Sequence, residues 1–455
     1  MTPIRVGLLG IGTVGSGTFN VLQRNQTEIT RRAGRGIEIT MVADLDTARA
    51  QAVVGELGLQ DSVRVVADAR EVIANPDIDI VVELIGGYGI ARTLVLEAIA
   101  AGKHVVTANK ALLAVHGTEI FAAARAKGVV VAFEAAVAGG IPIIKALREG
   151  LTANRIQWIA GIINGTTNFI LSEMRAKGLD FGVVLKQAQA LGYAEADPTF
   201  DIEGVDAAHK LTLMSAIAFG IPVQFDKAHI EGITQLAAAD IAYAEHLGYR
   251  IKLLGITKRT KGLPNSPSGS DGIELRVHPT LVPATRLIAN VEGAMNAVVV
   301  YGDAVGSTLY YGKGAGSEPT ASAVIADLVD ITRLHTADPH HRVPHLAFQH
   351  DALSATPILA MDATVTAYYL RLQVTDEVGV LARIAGILAE HRISIDALLQ
   401  RPNDGGAVEN TEARTDVIIL THDTVEAEMN RAIAQMQALP TVLAPIVRIR
   451  KEELS

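Results

Sequence analysis

Ile4-Arg5-Val6-Gly7-Leu8-Leu9-Gly10-Ile11-Gly12-Thr13-Val14-Gly15 opens the chain. Residues 4–9 are a short apolar run, the glycines follow at once, and a helical pattern runs from about 14 towards 31. Strand, tight turn and helix in that order are the context that a G-x-G-x-x-G dinucleotide fingerprint needs. Gly10 permits the turn, Gly12 lets a pyrophosphate approach the backbone, and Gly15 lets helix and strand pack closely. The helix N-terminus then offers N–H groups and a positive dipole end to phosphates. The motif alone could be a packing turn; its setting makes it a nucleotide site.

A later acid agrees. Asp44 closes a predicted strand over 37–43 and could accept a hydrogen bond from a ribose 2′-hydroxyl, which suits NAD. Arg49 stands near enough to keep a 2′-phosphate, and so NADP, open. The competing role for Asp44 is to cap the helix after Asp46. The polar stretch 24–36 lengthens the first crossover.

Further strand and helix patterns follow. Strands are expected at 63–66, at 78–85 before Gly86-Gly87, at 105–107 and at 129–133, with helices between them. Near-continuous apolar strands alternating with helices indicate a Rossmann-type, doubly wound parallel sheet of the α/β class. Ligands of such sheets bind at the carboxyl ends of the strands. Ile85-Gly86 and Thr107-Ala108-Asn109-Lys110 fall at two such ends, so Lys110 could reach cofactor or substrate; otherwise it is an ordinary loop lysine. The small-residue stretch 134–142 leaves the sheet and marks the domain crossing.

The totals narrow the classes. The chain has 455 residues, 49% hydrophobic and 20% charged, enough for about three globular domains. A formal net charge of −9 argues against nucleic acid or an anionic membrane as partner. The absence of cysteine excludes disulfides, thiolate metal sites and a cysteine nucleophile. The first apolar run is too short for a signal or membrane segment, so a cytoplasmic protein is expected.

From 143 to about 316 the pattern is mixed. Helices are expected at 143–150, 168–177, 182–191 and 205–219, and strands at 156–163, 250–258, 273–277 and 295–301. That is an α+β domain with a largely antiparallel sheet. Asn164-Gly165-Thr166-Thr167-Asn168 lies between a strand and a helix, as a polar cradle or an N-cap. The segment Gly192-Tyr193-Ala194-Glu195-Ala196-Asp197-Pro198-Thr199-Phe200-Asp201-Ile202-Glu203-Gly204-Val205-Asp206-Ala207-Ala208-His209-Lys210 carries carboxylates into a helix. On that helix Asp206, Lys210, Leu213 and Ile217 share a stripe, with Thr212 and Ser215 opposite. A surface pair at this spacing contributes only about 0.2–0.5 kcal/mol. These charges fall on the face that should be buried, where they are costly unless partnered or functional. The segment reads as a site.

Together these stretches resemble the homoserine dehydrogenase family over essentially the whole chain. The likeness rests on residues 10–15, 107–110, 134–142, 164–168, 192–210 and 312–316. It implies an oxidoreductase interconverting L-homoserine and L-aspartate 4-semialdehyde with NAD or NADP. By the same resemblance Lys210 takes the acid/base position, and Glu195 and Asp206 contact substrate. Gly165, Thr166, Tyr193 and Asp201 line the pocket, and Lys110 approaches the nicotinamide end. Ile11, Thr13, Val14, Gly86 and Gly316 approach the cofactor. Glu134, with the carbonyls of Val137, Gly139 and Ile141, matches a sodium site of the family. The chemistry suits the residues: reducing an aldehyde needs a hydride from one side and a proton for the oxygen. A lysine beside carboxylates in a partly desolvated pocket can give that proton, and burial would lower its hold on it. Glu195 would hold the substrate ammonium, while backbone N–H groups and Lys110 could receive its carboxylate.

Gly312-Lys313-Gly314-Ala315-Gly316 precedes a helix expected from about 319 to 334, which the resemblance returns to the first domain. The expected division is therefore 1–135 completed by about 312–335, 136–311, a linker 336–365 and a module 366–455. The linker carries His340, His341, His345 and His350 and reads as solvated rather than metal-binding, for want of regular ligand spacing. The last module has the order βαββαβ, with Asp376-Glu377-Val378-Gly379-Val380-Leu381 at its first turn and a long polar loop from Arg401-Pro402-Asn403-Asp404-Gly405-Gly406. It resembles an ACT domain, which implies an amino-acid effector, L-threonine in this family. Its exposed sheet edges suggest pairing of subunits into a homodimer or homotetramer. Two rivals are a phosphoglycerate dehydrogenase with an ACT tail, which would use a catalytic histidine, and a non-catalytic nucleotide and amino-acid sensor. Residues 192–210 fit the first poorly, and a sensor needs no proton donor.

Overall fold

The computed structural model describes residues 2–261, 271–335, 338, 342–402 and 414–454. The chain forms two compact units. One comprises Met1–Gly165, Val205–Ala228 and Ala294–Thr356; the other comprises Thr166–Gly204, His229–Gly293 and Pro357–Ser455.

The first unit is built on a six-stranded sheet in the order β3-β2-β1-β4-β5-β6. Its strands are β1 (Ile4–Leu9), β2 (Ile37–Ala43), β3 (Arg64–Val66), β4 (Ile80–Glu83), β5 (His104–Thr107) and β6 (Val131–Ala132), and every pairing is parallel. This is the Rossmann order, with its switch point beside β1. Ile4, Val6 and Leu8 point to a core shared with Ile37, Ile39, Ile80 and Val82. Ala321, Val324 and Leu328 of the helix Ser317–Leu334 join the same core. Each aliphatic side chain buried there contributes roughly 1.5–3 kcal/mol. That helix crosses Thr13–Arg24 at Gly17, where an added Cβ would collide with Ser317. An antiparallel set follows the order β7 (Ile156–Ile162), β11 (Met295–Gly302), β12 (Gly306–Lys313).

The second unit holds β8 (His229–Ile230), β9 (Tyr249–Thr260) and β10 (Gly272–Pro283). The C-terminal module supplies β13 (Val365–Thr375), β14 (Ile395–Pro402), β15 (Arg414–Thr421), β16 (Thr424–Val425) and β17 (Val447–Lys451). Its helices Val380–Glu390 and Glu426–Gln437 complete the expected βαββαβ order, and Ile384, Leu388, Met429 and Met436 pack on Tyr368, Leu370 and Leu372. β17 pairs antiparallel with β13 and parallel with β10, at Thr280↔Arg450 and Leu281↔Lys451. The module therefore shares one sheet with β9 and β10.

Several local expectations need correction. The first helix is broken: Thr13–Arg24 ends at Asn25, whose φ of −107° leaves the helical range, and Gln26–Ala33 restarts to bury Ile29 and Ala33. The helix Val205–Phe219 has no solvent face; Thr212 and Ser215 are buried too, and Thr212 satisfies its hydroxyl on the Ala208 carbonyl. Residues 146–150 form a π turn rather than a continued α-helix. The helix at 168 begins at Gly165, and β12 and the helix Ala238–His246 are further elements beyond those expected. The linker is not wholly solvated: His345 stacks on Phe121 and accepts a hydrogen bond from the Val131 N–H, whereas His350 is exposed. His340, His341 and residues 403–406 of the polar loop lie outside the described residues. Among the described residues no helix is long and apolar enough to cross a membrane.

Candidate functional site

The glycine turn is shaped for a phosphate. Gly10 has φ +95°, and a Cβ there would lie 2.8 Å from the Leu84 carbonyl. A Cβ at Gly15 would collide with the Gly10 carbonyl, so the helix can seat against the turn only as glycine. Gly12, by contrast, has nothing within 4 Å of its Cβ position and caps the helix Thr13–Arg24 without a side-chain hydrogen bond. That leaves open space in front of a helix N-terminus that has N–H groups to offer.

Asp44 ties the end of β2 to this turn. Its Oδ2 accepts from the Ile11 N–H at 2.7 Å and its Oδ1 from the Asp46 N–H at 2.9 Å. The helix after it is capped by Asp46, which accepts from the Arg49 N–H, so capping is not Asp44's role.

The ends of β4 and β5 are locked together by a residue that the sequence did not single out. Glu83, fully buried, accepts from the N–H groups of Ile85 and Gly86 and from the Thr107 hydroxyl at 2.6 Å. Thr107 in turn accepts from the Asn109 N–H, and Asn109 caps the helix Lys110–Lys127 while donating to the Gly87 carbonyl. A buried glutamate ending an apolar strand is the signal that could have found it. These bonds fix where Lys110 leaves the sheet.

Lys110 then meets the helix Val205–Phe219. Its Nζ lies 3.2 Å from Asp206 Oδ1, while Lys210 Nζ donates to Asp206 Oδ2 at 2.7 Å and to the Ile163 carbonyl at 2.8 Å. Asn164 donates its amide to the same Oδ2 at 2.8 Å. Asp206 and Lys210 are 4% and 8% exposed, so the charges are buried, as the wheel implied. Burial pushes the Asp206 carboxyl up, but Lys210, Lys110 and the hydrogen bonds from Lys210 and Asn164 outweigh it and hold it well below the usual carboxylate range. His209 packs on Phe225, ring centroids 4.3 Å apart, and burial lowers it to about 4, so it stays neutral. The cluster thus presents two lysines anchored on one ionised carboxylate.

In the second unit Thr166 donates to the Tyr193 carbonyl at 2.7 Å and to Asp201 Oδ2 at 3.2 Å. Tyr193 stacks on Phe169 with centroids 4.5 Å apart. The Glu195 side chain is exposed, and its backbone carbonyl accepts from Gln189. In the first unit, Gly165, which begins the helix Gly165–Lys177, would bring a Cβ to 2.8 Å from the Ala294 carbonyl.

Glu134 is 3% exposed, and its two oxygens accept from the N–H groups of Ile144 and Lys145. Burial pushes it up to about 7, against those bonds. Asp327 accepts the Glu134 N–H at 2.8 Å, and burial with Glu134 nearby pushes it up to about 8. Ala138 (φ +55°) and Gly139 (φ +44°) are both left-handed, so the chain folds back on itself here, with Gly139 against the Gly314 carbonyl. Two buried carboxyls thus meet a tightly turned backbone, with both Glu134 oxygens and Asp327 Oδ2 accepting backbone N–H groups. Gly316, φ +125°, caps the helix Ser317–Leu334.

Known proteins match the chain along its length. The family pattern described as "Homoserine dehydrogenase, NAD binding domain" matches residues 10–134, "Homoserine dehydrogenase" matches 142–329, and "ACT domain" matches 368–440. Homoserine dehydrogenase of Pseudomonas aeruginosa is 61% identical, with 100% of each chain covered. That of Neisseria gonorrhoeae is 57% identical, again with 100% of each covered. The crystal structure of a homoserine dehydrogenase from Thiobacillus denitrificans is 64% identical, superimposes with a TM-score of 0.92, and is covered to 99% by all of this chain. The chain belongs to the homoserine dehydrogenase family of NAD(P)-dependent oxidoreductases.

Proposed function

We propose that this chain interconverts L-aspartate 4-semialdehyde and L-homoserine, with Lys210 carrying the proton to and from the substrate oxygen. The observation that supports it most is the convergence of Lys210, Asp206, Lys110 and Asn164 within the unit that also carries the nucleotide turn. The nicotinamide, when bound, supplies or takes the hydride. Asp206 aims Lys210, and the Ile163 carbonyl fixes its head group against rotation. Lys110 adds a second cation for the substrate carboxylate or developing alkoxide. Glu195 is assigned to the substrate ammonium, and Gly165, Thr166, Tyr193 and Asp201 to substrate binding. Gly10, Ile11, Gly12, Thr13, Val14, Gly15, Asp44, Gly86, Lys110 and Gly316 are assigned to NAD or NADP.

A sodium ion held by Glu134 and the carbonyls of Val137, Gly139 and Ile141 would neutralise the buried acids and stiffen the turn beside Gly314. The division into a nucleotide domain (1–135 with 312–335), a substrate domain (136–311), a linker (336–365) and a regulatory module (366–455) belongs to the same reading. So do L-threonine as effector of the last module, a homodimer or homotetramer, a cytoplasmic location, and a place in threonine and methionine biosynthesis.

Lys210→Ala tests the core of it. Consumption of NAD(P)H with aspartate semialdehyde should fall by about 10²-fold or more, while cofactor binding, read by fluorescence titration, stays near normal. Near-normal turnover would remove the assignment. The same assay with and without threonine tests the effector.

A further inference from the structure

We propose that Glu231 and Arg450 are positioning residues for the amino-acid substrate: the last strand of the chain holds, through this ion pair, the backbone that backs residues 201–204. This rests on the reading that Thr166, Tyr193 and Asp201 line the substrate pocket.

The contacts run in an unbroken series. Asp201, bonded to Thr166, lies in the short helix Thr199–Ile202 that leads to Gly204. Ile233 N–H donates to the Ile202 carbonyl at 2.9 Å. Gly232 packs so closely on this segment that a Cβ would lie 2.6 Å from Glu203 Cα. Gly204 has φ +83° and faces Val277 and Ile230 at 3.2 and 3.3 Å from its Cβ position. Residues 230–233 are therefore the wall against which 201–204 rests.

That wall meets its sheet over a short stretch, with the Glu231 N–H donating to the Val277 carbonyl at 2.8 Å. β8 is two residues long and meets β10 at Arg276↔His229 and Val277↔Ile230. A strand so short is not held by its ladder. Glu231 supplies the anchor. Its carboxylate accepts from Arg450 Nη1 at 2.8 Å and Nη2 at 2.9 Å, from Arg448 at 3.1 Å, and pairs with His229 at 2.9 Å.

Arg450 is itself immobilised. It is 1% exposed, and its Nε and Nη2 also bond Glu426 at 2.9 and 2.6 Å. Tyr368 donates to Glu426 at 2.6 Å. Two arginines face two glutamates, Arg450 and Glu426 buried and Arg448 and Glu231 partly exposed, a geometry in which bidentate pairing fixes position more than it adds net stability. A wall that yields moves the substrate-lining segment resting on it, and loss of contacts made equally to substrate and transition state raises KM while leaving kcat unchanged.

Steady-state kinetics of the full chain test this with Glu231→Gln, Arg450→Met and Arg450→Lys. Glu231→Gln and Arg450→Met should raise KM for aspartate semialdehyde about tenfold, with kcat and cofactor KM within about twofold. Arg450→Lys should restore part of the loss, and the Glu231→Gln/Arg450→Met double variant should be no worse than either single one. Unchanged constants in folded Glu231→Gln overturn the proposal, as does a parallel rise in cofactor KM. If Glu231→Gln does not fold, Tyr368→Phe, which loosens only Glu426, decides: a KM rise of about two- to threefold supports the proposal and no rise overturns it. Asp201→Asn, measured alongside, separates the failures. If it leaves KM unchanged, the segment is not at the substrate and both readings fall. If it raises KM while Glu231→Gln does not, the coupling alone falls.

Discussion

Asp206 and Lys210 lie one helical turn apart and meet at 2.7 Å on a helix with no solvent face. An exposed pair at this spacing would be decoration. Here Asp206 is also the anchor for Lys110 at 3.2 Å and for Asn164 at 2.8 Å, so one carboxylate organises three elements. Removing its charge leaves two buried or half-buried lysines facing each other.

Asp206→Asn should therefore cost both activity and stability. Turnover is expected to fall about 10²-fold or more, and the protein to lose about 3–5 kcal/mol, as for other broken buried pairs. The pH dependence fixes the cause. The folded carboxyl titrates below its unfolded value, so its contribution is present above the unfolded range and is lost as pH falls through the folded one. The gap in urea midpoint between wild type and variant should be constant near neutrality and close below about pH 4. A gap that persists into acid would point to packing instead of charge.

Gly12 and Gly15 make opposite predictions from the same motif. Gly12→Ala has open space, so its melting temperature should match wild type, while the added methyl stands where a pyrophosphate would approach; cofactor KM should rise about tenfold or more. Gly15→Ala drives a Cβ into the Gly10 carbonyl and should destabilise the fold by roughly 1–3 kcal/mol. Calorimetry and cofactor titration on the two variants separate recognition from packing.

Asp44 should set the cofactor preference. Its carboxylate is held at the glycine turn by the Ile11 N–H, where it suits a ribose hydroxyl and repels a 2′-phosphate. Asp44→Ser keeps a hydrogen-bonding group and removes the charge. The ratio of kcat/KM for NADP to that for NAD should rise about tenfold, equivalent to ~1.4 kcal/mol. An unchanged ratio would assign Asp44 to the turn alone.

The two ends of the site differed in how much of them could be read from the chain. The glycine turn is local: six residues, a strand before and a helix after. Asp206 and Lys210 were legible for the same reason, since one helix fixes their spacing. The residues alone place Lys110 only at a strand end, and the family resemblance gives it a role; that it meets Asp206 depends on packing between elements far apart in sequence. Asp44 and Asp46 compete for one cap, and only the fold decides between them. Glu231 and Arg450, 219 residues apart, carry no local signal at all. The linker misled for a related reason, because the pairing of His345 with Val131 is created by tertiary structure.

Buried histidines predict how the fold responds to mild acid. His104, at the start of β5, is 6% exposed and accepts the Val130 N–H on Nδ1 at 3.0 Å. Burial lowers it to about 4, with Arg342 and His335 pushing the same way and Asp79 opposing. A folded value below the unfolded one of 6.5 means that stability is complete above that value and is lost as pH falls towards 4. Protonation would also remove the acceptor that Val130 needs. Unfolding free energy should therefore drop between about pH 6.5 and 4, before Asp206 begins to titrate. His104→Gln, which keeps a side-chain acceptor without a titrating ring, should be less stable than wild type at neutral pH but flatter across that window. If its slope equals that of wild type, His209 and His345, both lowered to about 4 by burial in the same way, become the groups to replace.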